Sequence, residues 1–119
     1  MKYVCLIYDE EKLFDDMPKD QFDAVMGEYF ALSDALVESG QMVAAEALQP
    51  VNTATVVRVR NGRLSTTDGP YAETKEQLGG FYLIEAKDLD EAIRIAGRIP
   101  SARFGSVEVR PVMDCQRPD

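Results

Sequence analysis

Histidine is absent from the 119 residues, and this absence narrows the chemistry more than any other feature. It is the usual acid and base near neutral pH and the usual nitrogen ligand for transition metals. Ser-His and Cys-His nucleophilic schemes and His-metal centres are excluded, so any chemistry falls to carboxylates, Lys, Tyr or Arg. Cysteine is nearly as scarce. Cys5 and Cys115 are far apart and lack a CxxC spacing, so neither a zinc site nor a disulfide framework is suggested, and no metal or other cofactor is expected. Two free thiols fit a reducing cytoplasm, and Cys5, inside an apolar stretch, reads as a small hydrophobe rather than a nucleophile. Long apolar runs are missing too. The stretch from Lys2 to Tyr8 is too short for a signal segment or a membrane span, so neither secretion nor anchoring is implied. Positive charge is in deficit, with 13 Lys and Arg against 21 Asp and Glu, a net charge of −8 and a pI near 4.5. Phosphate backbones are neutralised by clustered cations, so nucleic acid is not an expected partner. Arg58, Arg60 and Arg63 form a local basic stretch whose expected use is ion pairing with an acidic surface.

The remainder is ordinary globular composition, 45% hydrophobic and 29% charged, consistent with one domain over residues 1–119. A chain of this size buries roughly two thirds of its unfolded surface and needs no staple. Lys2 to Tyr8 reads as a central strand apolar on both faces. After an acidic loop, Phe22, Val25, Met26, Tyr29, Leu32, Ser33 and Leu36 recur at helical spacing until Gly40. Strands follow at Met42 to Leu48 and Thr53 to Arg60. Asn61-Gly62 predicts a type I′ hairpin returning through Arg63 to Thr67. A further strand spans Gly80 to Ala86. Asp88 with Glu91 approximates a capping box for a second helix that Pro100 ends. A last strand from Ser106 to Val112 puts Val107 and Val109 on one face, Glu108 and Arg110 on the other. The tail from about residue 114 reads as loose.

This order, βαβ, a hairpin, then βαβ, is the pattern of a ferredoxin-like α+β sandwich with an antiparallel sheet. Two helices cover one face of the sheet. The first strand is apolar on both, so the other face is expected to meet a second subunit, making a homodimer.

Chemistry-bearing groups concentrate between the hairpin and the next strand. Asp68, Tyr71, Glu73, Lys75 and Glu76 fall within nine residues, bracketed by Gly69-Pro70 and Gly79-Gly80. On one reading these brackets build a rigid loop with one helical turn at Glu73 to Leu78, its charges solvated or paired, as Glu73 with Gln77. On the other, the loop caps a cleft. Asp68 and Glu73 then serve as catalytic base or acceptor, while Tyr71, Lys75, Glu76, Tyr82 and Arg110 contact a ligand. Glu108 and Arg110 are more simply read as a pair, and Tyr82 as core.

The string from Asp68 to Gly80, continuing into Phe81-Tyr82, resembles the signature of the DGPF branch of the YCII-related family, with Tyr71 where that branch usually has Phe. Met1-Lys2-Tyr3, Glu46 to Pro50 and Ala102 to Pro111 are similar to its other blocks. The resemblance implies a ferredoxin-like subunit forming a dimeric α+β barrel. Some members of the family are considered candidate enzymes because of an Asp and His pair in a cleft, and DGPF members are often associated with alternative sigma factors. No histidine exists here to complete that pair, although Asp68 stands as a counterpart of its acidic member. Two functions follow as expectations. The first is binding of a small organic ligand, with acid/base chemistry such as elimination or isomerisation of a small organic acid. The second is a non-catalytic regulatory or interaction module associated with a sigma factor.

Overall fold

The computed structural model describes residues 1–118. Its elements run β1 (Lys2–Asp9), α1 (Glu11–Asp15), α2 (Lys19–Glu38), β2 (Met42–Ala47), β3 (Thr55–Arg60), β4 (Arg63–Asp68), β5 (Gln77–Glu85), α3 (Leu89–Ala96) and β6 (Ser106–Pro111), with single 3-10 turns at Val51–Thr53 and Pro100–Ala102. β2, β5, β1 and β6 form one sheet in that order, and β3 with β4 forms a separate two-stranded sheet. All pairings are antiparallel. The four-stranded sheet with α2 and α3 is the ferredoxin-like α+β arrangement, and the β3–β4 hairpin is an insertion between two strands that are neighbours in the sheet.

Strand alternation decides what is core. Tyr3, Cys5 and Ile7 of β1 and Tyr82 and Ile84 of β5 face the helices and are buried against Leu32, Leu36, Ala92, Ile95 and Ile99. Val25, Leu32 and Leu36 make the buried stripe of α2, as the spacing predicts. α2 stops at Gly40, whose φ of +76° is costly for any residue with a Cβ. There Gln41 N–H donates to Leu36 O at 2.9 Å and Gly40 N–H to Val37 O at 3.1 Å, the paired bonds of a Schellman ending. α3 starts at Asp88, whose carboxylate accepts from Glu91 N–H at 2.9 Å. The Glu91 carboxylate reaches back one residue further than a capping box requires, accepting from Lys87 N–H at 3.0 Å. Asn61 and Gly62, at φ +53° and +74°, make the expected I′ hairpin turn.

Three segments depart from the sequence reading. The acidic stretch after β1 contains the short helix α1, and β3 begins at Thr55 rather than Thr53. Glu73 to Leu78 holds no helical turn, because β5 has begun by Gln77, which pairs with Asp9 of β1. The Gln77 amide instead ties the loop down. Its Nε2 donates to Thr74 O at 2.6 Å and its Oε1 accepts from Glu11 N–H at 3.0 Å. This leaves no pairing of Gln77 with Glu73. The β1–β5 register slips by one residue at Gly79, between the Ile7–Gly80 and Tyr8–Leu78 partners, which is the sign of a β-bulge.

Candidate functional site

The inward alternation of β1 runs Tyr3, Cys5, Ile7 and then Asp9, so a carboxyl follows three core residues on the same face. Asp9 lies at one end of a cavity of about 380 Å³ between α2 and the sheet. Ile7, Phe14, Phe22, Met26, Phe30 and Ala45 supply its apolar wall. Tyr29, Ser33, Tyr82 and Asp9 supply its polar side chains, Glu46 borders it from β2 with its side chain on the opposite face beside Phe81, and among the described residues no lysine or arginine lines it. Phe14 is held edge-on to both Phe22 and Phe104, at centroid separations of 6.5 and 6.1 Å, so α1 contributes an aromatic ring to the cavity wall. Gly79 and Gly80 form part of the floor. A Cβ on Gly80 would stand 2.6 Å from Glu46 O, so only glycine permits this approach of β2 to β5.

Two hydroxyl relays meet the cavity. Ser101, fully buried in the 3-10 turn after α3, donates to Asp9 Oδ2 at 2.9 Å and hydrogen bonds the Tyr29 hydroxyl. Ser33 and Tyr82 hydroxyls bond at 2.9 Å, and the Tyr29 and Tyr82 rings meet edge-on at 6.4 Å. Asp9 Oδ1 is shielded from solvent and accepts no hydrogen bond from the described residues. Burial raises the Asp9 pKa above the ordinary aspartate value. The Ser101 donor pulls it partly back, and the Glu76 charge pushes it up again. Tyr29 and Tyr82 are both raised, chiefly by burial, so their hydroxyls stay protonated donors at neutral pH.

The residues singled out in the sequence disperse around this cavity. Tyr82 is buried and lines it. Glu76 accepts from Ser106 Oγ at 2.8 Å and bears on Asp9 by its charge alone. Lys75 is exposed and pairs with Glu10 at 3.6 Å. Asp68, at the end of β4, and Glu73 are both exposed. Tyr71 is 82% exposed, with the Arg58 guanidinium 5.9 Å from its ring centroid. Arg110 pairs along its own strand with Glu108 at 3.8 Å, as expected of that pair. A second, mostly apolar cavity of about 480 Å³ separates the Pro70 to Leu78 loop from Leu48 to Ala54 and includes Tyr8 and Tyr71. Among the described residues, no group of three or more Cys, Asp and Glu is placed to hold a metal ion, and no helix is long and apolar enough to cross a membrane.

Asp9, Tyr29, Ser33 and Ser101 were not singled out as site residues. One signal was available. Asp9 continues an inward-facing apolar alternation, and Tyr29 and Ser33 put two hydroxyls one turn apart in the buried stripe of α2. Ser101 gave none, because it meets Asp9 across 92 residues of chain.

These features define a class of protein, an α+β domain of ferredoxin-like topology carrying a carboxyl at the head of an apolar cavity. The particular family is also shown. The YCII-related domain model matches residues 1–116, and the chain is 39% identical over 114 residues to an uncharacterized protein of Rhizobium meliloti (strain 1021), covering 94% of this chain and 92% of that one. The chain belongs to the YCII-related family.

Proposed function

We propose that this YCII-related protein is a homodimer whose subunits each bind a small, largely apolar molecule in the Asp9 cavity, with Asp9 exchanging a proton with the bound molecule. The observation that carries this reading is Asp9, a carboxyl that lines a cavity of ligand size and has Ser101 as its one hydrogen-bond partner among the described residues. A carboxyl whose pKa is raised by burial holds a proton more readily than a free aspartate, which suits it to proton exchange with a bound group. A carboxyl and no cation among the described lining residues favour a ligand end that donates hydrogen bonds, an amine or a hydroxyl, over a carboxylate or phosphate. Both cysteines are free thiols, which supports a reducing cytoplasm as the protein's location.

The dimer is supported by the uncovered side of the sheet. Val4, Leu6, Phe81 and Leu83 alternate onto the face opposite the helices and remain only half-buried. The surface of the chain is 8619 Å², against about 6,500 Å² for a compact monomer of this mass. The difference is of the size an obligate subunit interface covers. Two such sheets laid face to face would form the dimeric α+β barrel.

Calorimetric titration with 2-phenylethylamine, 2-phenylethanol and phenylacetate tests the site. The amine and alcohol are expected to bind, phenylacetate at least tenfold more weakly, and Asp9→Asn to abolish the preference for the amine. Tightest binding of phenylacetate would refute the ligand class. No binding of any probe, with an alternative sigma factor co-purifying with the native chain, would replace this reading by the interaction module.

A further inference from the structure

We infer that the β3–β4 hairpin is an arm that clasps a second copy of this chain; the inference rests on the dimer proposed above and extends it. Neither strand packs extensively on another element of its own subunit. An isolated two-stranded hairpin is marginal in water, yet this one is well formed over all six residue pairs from Thr55–Asp68 to Arg60–Arg63. Its two faces differ. The pairing puts Val57, Val59 and Leu64 together on one face, 57%, 58% and 69% exposed. Arg58, Arg60 and Arg63 share the other.

Three arguments identify the occupant of the apolar face as a second copy. The first is charge. Residues 55–68 hold three arginines against one aspartate, a net of +2, which leaves the rest of the chain at −10. A cationic arm therefore faces an acidic body in any neighbouring copy, and it offsets the repulsion of two chains each at −8. The second is extent. The Cα radius of gyration is 16.7 Å, where a compact chain of this length has about 13.5 Å, and the molecule is a slab of 48 × 47 × 19 Å. A chain spread this widely in two dimensions has completed only half of its packing. The third is area, since the excess surface already noted is of the size an obligate interface covers, and the hairpin holds three large apolar side chains, all more than half exposed, on one face.

Sedimentation velocity across a dilution series tests the arm. The native chain is expected to be a dimer, and Val57→Lys/Val59→Lys to weaken the dimer by on the order of a hundredfold, as removal of a central apolar contact does. Arg58→Glu/Arg60→Glu, which leaves the apolar face intact, is expected to weaken it at least tenfold through reversed charge. Hydrogen exchange on the untouched chain provides a reading free of folding artefacts, with hairpin amides protected in the dimer and exposed on dilution. A native dimer that both variants leave unchanged would overturn the arm while leaving the dimer intact. A native monomer at tens of micromolar would overturn both.

Discussion

Ser101→Ala removes one oxygen atom and should disturb two elements. Ser101 is fully buried, and among the described residues its hydroxyl is the sole hydrogen-bond partner of the Asp9 carboxyl, because Oδ1 has none. The same hydroxyl bonds Tyr29 of α2. Losing a hydrogen bond to a charged group costs about 1.5–3 kcal/mol when the group is fully buried. Asp9 is partly open to solvent, so the expected loss at pH 7 is about 1–2 kcal/mol. Unfolding entropy near 2.1 cal/mol/K per residue converts this to a fall in Tm of about 4–8 °C. The effect should depend on pH with a definite sign. The folded pKa of Asp9 lies above its unfolded value, so the folded state holds the proton more tightly and stability declines as pH rises through that interval. Ser101 opposes this decline by favouring the carboxylate, so its removal deepens it. As pH falls towards the ordinary aspartate value, near 4, Asp9 gains a proton in both proteins, and the difference should shrink towards roughly 0.5–1 kcal/mol. Thermal unfolding by circular dichroism at pH 4 and pH 7 measures both values. Equal losses at the two pH values would refute the coupling of Ser101 to the Asp9 charge, and so would a loss confined to pH 4.

Two glycines should respond in opposite directions to alanine. Gly80→Ala drives a Cβ to 2.6 Å from the Glu46 carbonyl and should cost about 1–3 kcal/mol in urea unfolding. Gly27→Ala, in mid-helix with nothing within 4 Å, should stabilise by about 0.5–1 kcal/mol. Cys5 has no exposed surface, and burial pushes its pKa up to about 11. Intact mass after iodoacetamide treatment of the native protein at pH 8 should therefore show one adduct, on the exposed Cys115, and two only after denaturation.

The topology was legible because each strand and helix carries its own period. The apolar run of β1, the α2 stripe, the Asn61-Gly62 turn and the Asp88 cap are local patterns and start their elements in place, though α3 ends at Ala96, before the Pro100 expected to end it. Gln77 shows the limit. Its place in β5 is set by pairing with Asp9 and by the bulge at Gly79, both long-range facts, so a short polar stretch read from its neighbours alone looked like a helical turn. The cavity was hidden for the same reason. Asp9, Tyr29 and Ser101 come from β1, α2 and the turn after α3, and no spacing rule links them. The Asp68 to Glu76 stretch drew attention by density of charge, but density follows exposure as readily as function.

β2 and β5 are adjacent and antiparallel, with Ala47 opposite Gly80. A two-residue turn could in principle join strands so placed; here residues 48–76 do it. The connection is therefore free of the sheet in a topological sense, since it could lengthen, shorten or change sequence without altering a single backbone pairing of the four-stranded layer. That freedom lets the segment present docking surfaces without disturbing the strands that hold the Asp9 end of the cavity.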